Sequence, residues 1–508
     1  MIPDPLNSAP NDSPEVAELK RQLHWAHLKI QVLEERLRLQ RIQKYGPGSE
    51  KLTDAQLELL EMEPGVSSQE VQAESAREPL GPPQRRPKRR PHPGRQELPA
   101  ELPRVERVIA CAPEQCQCSI CGQAAAVIGY ETSEQLDVEP AKYFVLVTKR
   151  EKRACRHCEQ AGVSTAPAPA RIIEKGLASD RVVIDTVIAK YSYHLPVYRQ
   201  SVMLEREAGI EIGRATLDGW VMTVGGLLVP MAAAMGGELL RETYIQADET
   251  PVDVQMRDGR GHNHQAYLWQ YSRPGGNVVF DFQLGRGRDG PKKFLGDFNG
   301  ILQTDGYAAY DKVGGPGVVQ AACWAHAGRK FYEAHQVSPG ENVAQGIVAL
   351  IGDLFGVDAA ARLQGLDGAG RDRLRQQQSR PLLETIRRKI EAAQEQALPA
   401  SKLGGAIRYA LGLWERLTRF LDYPALELST NWAENSMRGV AVGRKNWIHI
   451  GSPQAGPKVA AILTVVETCR RRDIPVREYL AAVLPGLAEV SIQKLPEFTP
   501  AAWAARHK

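Results

Sequence analysis

The sequence predicts a multidomain α+β protein, and three observations support this prediction. Its 508 residues correspond to roughly three domains at ~150 residues each. The hydrophobic period changes from helical spacing to a period of two after residue 242, and returns to helical spacing after residue 332. Two C-x-x-C motifs indicate a metal-stabilised module. A hydrophobic content of 43% excludes a wholly disordered chain, whereas a net charge of +4 is too small to indicate nucleic-acid binding by itself.

Residues 1–62 are predicted to contain a coiled coil. Apolar side chains recur there at alternating steps of three and four residues, namely Val16, Leu19, Leu23, Ala26, Ile30, Leu33 and Leu37. This spacing is typical of the a/d seam of a coiled coil, so we expect the chain to self-associate through it. An amphipathic helix packed on its own domain is the alternative. The first residues lack a basic segment and an apolar segment, so we expect a cytoplasmic protein without a signal peptide.

Residues 63–104 read as a flexible linker rich in Pro, Gln, Glu and Arg. Five of its basic residues fall within six positions, namely Arg85, Arg86, Lys88, Arg89 and Arg90. Like charges at this density stay solvated and can bind a DNA backbone by releasing counterions. The simpler interpretation is that the run only keeps the chain soluble.

Residues 105–172 are predicted to form a zinc ribbon. The pairs Cys118/Cys121 and Cys155/Cys158 are separated by 33 residues that include a strand-like run over residues 143–155. Four thiolates can hold one structural Zn²⁺ in a closed tetrahedral site. Two alternatives stay open for the ligand set, since Cys116 could replace Cys118 and His157 could compete.

Residues 173–241 read as helical, with breaks near Pro196 and Gly209. Two short helices, a glycine-bearing turn and a third helix are similar to a helix-turn-helix, although any small helical bundle has this pattern. Nineteen uncharged residues, 219–237, are the one stretch that could suggest a membrane span. Its glycines and Pro230 favour a buried helix, and we expect no contact with membranes.

Residues 242–335 and 424–478 are predicted to form the α/β core. Five short strands are expected, at residues 243–248, 265–272, 278–284, 300–305 and 318–326. A helical insertion over residues 336–423 interrupts this core, and a last helix is expected over residues 431–439. Residues 479–508 form a C-terminal tail.

Three acids stand at the ends of predicted core elements. Asp248 and Asp305 each follow an apolar strand, and Glu434 lies at the start of a helix. Oxygen ligands suit Mg²⁺ or Mn²⁺, and two such ions ~3.5–4 Å apart can align the attacking and leaving oxygens of a phosphodiester. The order of strand acid, strand acid, long insertion and helix acid therefore predicts a two-metal site.

Each acid also has a purely structural interpretation. Asp305-Gly306 is a common turn signal, and Asp248 could accept hydrogen bonds where its strand ends. Glu434 could complete a capping box with Asn431. Glu249 is a weak rival to Asp248, because adjacent residues of a strand face opposite sides of the sheet.

The chain resembles the large transposase (TnpC type) of insertion sequence 66 elements, a family of DDE transposases. The resemblance covers nearly the whole chain, and it rests on long motifs that occur in order. These are KYGPGSEKL, RQELPAELPRVE, CSICG with CRHC, HLPVYRQ, ADETPVDV, TDGYAAYD, CWAHAGRKF, NWAENSMRGVAVGRKNWIHIGS and YLAAVLPGL. One position departs from the family pattern, because Asn435 follows the third acid where Arg is usual, which removes a possible phosphate contact.

The resemblance implies a ribonuclease H-like core, cut-and-join chemistry on element ends, and catalytic roles for Asp248, Asp305 and Glu434. Two Mg²⁺ ions are then expected to activate water, releasing a 3′-OH that attacks target DNA without a covalent protein–DNA intermediate. It also implies that small companion proteins of the same element take part.

Several further residues are candidates for contacting DNA near these acids. They are His326, Arg329, Lys330, Arg438, Arg444, Lys445 and Trp447. The cations would grip phosphates and Trp447 would stack on a base. The simpler interpretation places Arg329 and Lys330 on a solvated helix face and Trp447 in the core.

Two other functions share many of these features. A catalytically inactive zinc-ribbon DNA-binding protein would keep the coiled coil and ribbon but would not nick DNA. A ribonuclease H-like nuclease would cut without joining. The linker, ribbon and coiled coil favour an assembly that pairs two element ends with target DNA.

Overall fold

The computed structural model describes residues 142–154, 163–256, 259, 261–337 and 342–507, with isolated positions between residues 104 and 135. The predicted coiled coil, the basic linker and the four predicted zinc ligands lie outside the described residues. Strand β1 (Lys152–Ala154) pairs antiparallel with β2 (Val163–Thr165). The strand predicted over residues 143–155 is too long, because residues 142–151 are exposed and adopt no regular secondary structure.

Three helices precede the main sheet, namely α1 (Asp180–Tyr191), α2 (Val197–Ala208) and α3 (Arg214–Leu239). Gly209 ends α2 with a positive φ of 67°, a conformation that glycine adopts without strain. Gly225 lets α3 cross a later helix closely, since a Cβ there would lie 2.8 Å from Cβ of Lys458. These helices share one hydrophobic core with the sheet.

The main sheet has strand order β5-β4-β3-β6-β7. Its strands are β3 (Tyr244–Val254), β4 (His264–Ser272), β5 (Val278–Gln283), β6 (Ile301–Thr304) and β7 (Val319–Ala322). Strands β3, β4 and β5 are antiparallel, and β6 and β7 run parallel to β3. Helix α4 (Asp289–Leu295) connects β5 to β6. The five predicted strands are therefore present, with different ends.

Alternate residues of the central strands enter different cores. Ile245 of β3 and Leu302 of β6 pack in the core shared with α3, whereas Tyr244 and Ile301 pack on the opposite face. Because side chains alternate along a strand, even-numbered residues of β3 and odd-numbered residues of β6 share this second face. Around Tyr244 and Ile301 this second face is covered by the helical insertion.

The insertion begins after α5 (Trp324–Val337). It comprises α6 (Asn342–Leu363), α7 (Gly368–Leu374), a π-helical turn (Arg375–Ser379), α8 (Arg380–Gln396), α9 (Lys402–Gly412) and α10 (Trp414–Thr418). Their apolar faces pack with Trp324 and Phe331 of α5. The predicted helical insertion is thus a layer on one face of the sheet.

The chain returns to the sheet through α11 (Asn431–Trp447) and β8 (His449–Ile450), which pairs parallel with the end of β3. Helices α12 (Gly456–Arg471), α13 (Val476–Val483) and α14 (Pro500–Arg506) follow. The predicted end of α11 at residue 439 is wrong, because Val440 and Gly443 continue its buried stripe.

In the described part of the chain, α3 and α6 are long and apolar enough to cross a membrane by length and composition alone. Half of the most apolar stretch of α3, and a third of that of α6, is buried inside the protein. Helix α3 contributes Leu217, Val221 and Leu228 to the hydrophobic core. It is therefore a core helix, as its glycines and Pro230 predict.

Candidate active site

Asp248 lies on β3, and Asp305 directly follows the parallel neighbouring strand β6. Gln246 of β3 is opposite Gln303 of β6 in the last pair of this register, and each acid stands two residues further along the chain. The prediction that this strand ends at Asp248 is wrong, because β3 continues to Val254 through its pairing with β4. Only the pairing with β6 ends at Gln246. The edge of β3 that faces β6 is therefore open beside Asp248.

A tight turn fixes the backbone after Asp305. Its carboxylate Oδ1 accepts a hydrogen bond from the Tyr307 amide at 2.8 Å, and Tyr409 of α9 donates its hydroxyl to the Asp305 carbonyl. Gly306 has a φ of +88°, and a Cβ there would lie 2.4 Å from Leu413 Cδ1. Glycine is thus required by both conformation and space. The turn interpretation of Asp305-Gly306 and a site at Asp305 are compatible.

Glu434 lies in the first turn of α11, but it does not form the capping box considered above. The helix begins at Asn431, its N-cap is Thr430, and the Thr430 side chain makes no capping hydrogen bond. The Glu434 carboxylate instead lies 3.7 Å from His326 Nδ1 and 4.0 Å from Arg329 Nη2. The charge of this carboxylate also contributes to the raised pKa of Asp248, so Glu434 lies near Asp248.

Burial and neighbouring acids both affect the pKa of Asp248. Burial raises this pKa from 3.8 to about 7, and the negative charges of Glu249, Asp305 and Glu434 contribute to the increase. A hydrogen bond from the Glu249 amide to Asp248 Oδ1, at 2.9 Å, acts in the opposite direction. Asp305 and Glu434, which come from distant parts of the sequence, are therefore close enough to act on the partly buried Asp248.

We expect the stability of the magnesium-free protein to fall as the pH rises from about 4 to about 7. Because the folded pKa of Asp248 lies above its ordinary value, the folded chain binds more protons than the unfolded chain in this window, so deprotonation favours unfolding. The thermal unfolding midpoint in magnesium-free buffer should be lower at pH 8 than at pH 5, and Asp248→Asn should reduce the difference. The same pH dependence in Asp248→Asn and in a control Asp253→Asn would contradict this assignment.

Glu249, the rival acid, faces the other side of the sheet. Its carboxylate accepts hydrogen bonds from Arg286 Nη2 at 2.7 Å and from the Tyr310 hydroxyl at 2.8 Å. Its side chain is only 3% exposed. These partners account for Glu249 as a packing residue of that face.

His326, Arg329 and Lys330 lie on α5, whereas the sequence placed His326 on the fifth strand. Helix α5 begins at Trp324 because Trp324, Ala327 and Phe331 form a buried stripe at helical spacing. Arg329 is largely exposed near Glu434, and Lys330 Nζ lies 4.7 Å from the centre of the Tyr409 ring. The exposure of Arg329 and Lys330 is compatible both with a solvated helix face and with a contact to phosphate.

The four candidates on α11 divide into two pairs. Arg438 and Lys445 are exposed. Arg444 donates from Nη1 to Thr250 Oγ1 at 2.8 Å and to the Pro251 carbonyl at 2.6 Å, and Trp447 packs against the core beside Tyr191. Arg444 and Trp447 thus hold α11 on β3 and α1, which agrees with the core interpretation of Trp447.

Cys323 is the site neighbour that the sequence analysis missed. Its thiol accepts a hydrogen bond from the Thr430 amide, and one ligand atom from each of Cys323, His326 and Glu434 lies within 4.8 Å of the others. Burial opposes ionisation of Cys323, but hydrogen bonding and charge attraction with His326 lower its pKa overall. The C-x-x-H spacing at the start of α5 was the available signal.

The surroundings of His326 favour its protonated form. Burial lowers its pKa, but the hydrogen bond with Cys323 and the charges of Cys323, Glu434 and Asp305 raise it to about 9 overall. A partly buried imidazolium beside Glu434 would partly offset the negative charge of the acids. His326 is thus part of the acid cluster itself.

Comparison with known families identifies the chain as a transposase. It belongs to the IS66 family, because the model described as "Transposase IS66 family" matches residues 175–458, which include Asp248, Asp305 and Glu434. The "zinc-finger binding domain of transposase IS66" matches residues 115–159, and "Transposase C of IS166 homeodomain" matches residues 32–107. Membership implies DNA transposition, and the zinc-finger match supports bound Zn²⁺.

Relatives occur in Sinorhizobium fredii (strain NBRC 101917 / NGR234). Uncharacterized protein y4qI is 33% identical over 94% of this chain and 89% of its own length. Uncharacterized protein y4jD is 31% identical over 80% of this chain and 82% of its own length. Similarity therefore extends well beyond the acid cluster.

Proposed function

We propose that this transposase cuts the ends of its element and joins the resulting 3′-OH to target DNA at Asp248, Asp305 and Glu434, with two divalent ions. The observation that carries the proposal is the placement of the three carboxylates: Asp248 lies on β3, Asp305 directly follows the neighbouring strand β6, and Glu434 lies in the first turn of α11. The charges of Asp305 and Glu434 both contribute to the raised pKa of Asp248, which supports their proximity. A partly buried acidic cluster of this kind is unfavourable without a cation. Binding a cation would remove this penalty.

The donor set suits Mg²⁺ or Mn²⁺. Asp248, Asp305 and Glu434 offer only carboxylate oxygens, which hard cations prefer. When bound, such ions would act as Lewis acids and neutralise charge developing on the phosphate. Cys323 and His326 offer softer atoms at one side, and we assign them to hydrogen bonding and charge balance within the site.

The chain's own groups then orient the reaction. The His326 imidazolium and the Arg329 guanidinium lie beside Glu434 and would attract the scissile phosphate. The oxygen of a water attacks phosphorus, the bond to the 3′ oxygen breaks, and the proton passes to the leaving 3′ oxygen. In the joining step the 3′ oxygen of the element end attacks a target phosphorus, the bond from that phosphorus to its own 3′ oxygen breaks, and the proton of the attacking hydroxyl passes to that leaving oxygen. No side chain becomes bonded to DNA.

The topology supports a ribonuclease H-like core. Along the chain, the antiparallel strands β3, β4 and β5 are followed by β6 and β7, which run parallel to β3. Across the sheet the order is β5-β4-β3-β6-β7, so that the first strand of the core, β3, is central. In this proposal the first acid, Asp248, belongs to the central strand β3, and the second, Asp305, directly follows its parallel neighbour β6. In this proposal residues 242–335 and 424–478 form the core, residues 336–423 form the insertion, and residues 479–508 form a C-terminal tail that packs on it.

We assign DNA recognition and assembly to the remaining segments. Residues 1–62 would pair two copies through a coiled coil, residues 63–104 would contact phosphates, and residues 173–241 would present a helix-turn-helix-like surface. Arg438 and Lys445 would extend the phosphate contacts on α11. The protein would act in the cytoplasm on double-stranded DNA, with companion proteins of the same element.

Cys118, Cys121, Cys155 and Cys158 are the proposed ligands of one structural zinc ion in residues 105–172. We expect about one zinc per chain in the purified protein and loss of this zinc in Cys118→Ser, because a structural site needs all four ligands. Atomic emission spectroscopy measures the content, and Cys469→Ala on α12 is the matched control. Full zinc content in Cys118→Ser would exclude Cys118 and direct attention to Cys116.

A joining assay distinguishes the proposed function from its alternatives. Purified protein is incubated with labelled element ends and a target plasmid, with Mg²⁺ or without it, and pre-cut ends test joining separately. We expect both cutting and joining, each dependent on Mg²⁺. Cutting without joining would indicate a nuclease, and end binding without either reaction would indicate a DNA-binding protein.

A further inference from the structure

A pair of buried glutamines precedes the two strand acids. Gln246 and Gln303 stand two residues before Asp248 and Asp305, on the same face of the sheet, and both are 0% exposed. Gln246 Nε2 donates to Gln303 Oε1 at 2.9 Å, and the Tyr244 hydroxyl donates to the same oxygen. The strands that carry the acids are therefore joined by side-chain hydrogen bonds just below them.

Gln246, Gln303 and Tyr244 also form hydrogen bonds with the backbone of residues 427–433, the segment that enters α11. Gln303 Nε2 donates to the Glu427 carbonyl at 2.7 Å, and Gln246 Nε2 donates to the Ser429 carbonyl at 2.9 Å. The Glu427 amide donates to the Tyr244 hydroxyl at 3.3 Å. Three side chains from the sheet thus anchor the backbone that leads to the third acid.

One hydrogen bond reaches the first turn of α11 itself. The Ala433 amide, which precedes Glu434, donates to Gln246 Oε1 at 3.3 Å. Amides in the first turn of a helix have no partner within the helix, and a local N-cap side chain usually satisfies one of them. Here the Thr430 side chain does not, and a residue of the central strand accepts this bond instead.

We propose that Gln246, Gln303 and Tyr244 are positioning residues that set the Glu434 carboxylate relative to Asp248 and Asp305. The inference rests on the proposed function, because positioning matters only if the three acids share metal ions. The side-chain amides of Gln246 and Gln303 are buried, so leaving one of them without a hydrogen bond is unfavourable. Residues 427–433 therefore have one preferred register on the sheet. The group acts through Glu434 and does not touch DNA.

Mn²⁺ binding to the full-length protein tests this role without relying on activity. Free Mn²⁺ is measured by electron paramagnetic resonance during titration, and a hard cation of this kind avoids the thiolate site. We expect Gln303→Met to bind Mn²⁺ about 10- to 100-fold more weakly, as when a residue that supports a metal ligand is lost. In the cleavage assay its half-maximal metal concentration should rise, and saturating metal should restore much of the rate.

Thr468→Val is the matched control. Thr468 is fully buried on α12, and its hydroxyl bonds to the backbone of Val278 on β5, so the variant also loses a helix-to-sheet tether. We expect it to lower the unfolding midpoint without changing Mn²⁺ affinity. Should Gln303→Met fail to fold, Tyr244→Phe removes one hydroxyl of the same group, and it should also weaken Mn²⁺ binding.

The variant Asp248→Ala distinguishes failure of the positioning role from failure of the proposed metal site. Suppose that Asp248→Ala loses Mn²⁺ binding, but that folded Gln303→Met binds Mn²⁺ as tightly as Thr468→Val. The positioning role is then overturned, and the proposed function stands. Tyr244→Phe takes the place of Gln303→Met in this comparison if Gln303→Met does not fold. If Asp248→Ala itself binds Mn²⁺ like the parent protein, the proposed function is overturned. Weak binding in Gln303→Met with normal binding in Thr468→Val supports positioning.

Discussion

Asp248→Asn should abolish DNA cleavage and joining while raising the stability of the magnesium-free protein. The substitution removes one metal-binding charge, and we expect the rate to fall at least about 1,000-fold, equivalent to ~4 kcal/mol of transition-state stabilisation. The same neutral side chain relieves burial of a charge among Glu249, Asp305 and Glu434. Loss of activity accompanied by a higher unfolding midpoint at pH 8 distinguishes a site residue from a structural one.

The control for this prediction is Asp253→Asn. Asp253 lies on the same strand but is exposed. We expect its cleavage rate, end binding and unfolding midpoint to stay close to those of the parent protein. Specific end binding should also persist in Asp248→Asn, because the proposed DNA-recognition segments are unchanged. Cleavage by Asp248→Asn at the parental rate would contradict the assignment.

Arg375→Met should destabilise the helical insertion by about 3–5 kcal/mol, since removing one partner leaves a buried charge poorly compensated. Arg375 is 0% exposed and donates to both carboxylate oxygens of Asp358 at 2.8 Å. It also donates to the carbonyls of Phe420 and Leu426, close to the segment that enters α11. Burial opposes ionisation of Asp358, but Arg375 and Arg371 lower its pKa overall.

Urea unfolding and amide hydrogen exchange measure this effect. We expect faster exchange in α6, α8 and α9 of Arg375→Met, and a smaller change in α3 and α12. Arg387→Met is the control, because Arg387 pairs with Glu391 on an exposed helix face and such pairs contribute about 0.3–0.5 kcal/mol. Equal exchange in Arg375→Met and Arg387→Met would show that the buried ion pair does not hold the insertion together.

The sheet was accessible from the sequence, and so was the choice of the three acids that we propose as the active site. Alternating apolar residues predicted all five strands, because half-buried strands have a period of two. The order of the acids along the chain predicted that they converge, and the contribution of the Asp305 and Glu434 charges to the pKa of Asp248 is consistent with this prediction. These features depend on local pattern and on topology.

Element ends and side-chain partners were not accessible in the same way. Strand β3 continues past Asp248 because β4 pairs with it, and Arg444 bonds to a strand 194 residues away in sequence. Gln246 meets Ser429 across 183 residues. No local signal reports such contacts, so the sequence assigned Arg444 to DNA and did not single out the glutamines.

Anomalous diffraction from crystals of the full-length protein grown with Mn²⁺ tests the central claim most directly. The proposed two-metal site predicts two manganese peaks ~3.5–4 Å apart, ligated by carboxylate oxygens of Asp248, Asp305 and Glu434. Manganese bound elsewhere, with these three carboxylates at saturating Mn²⁺ holding no ion, would contradict it.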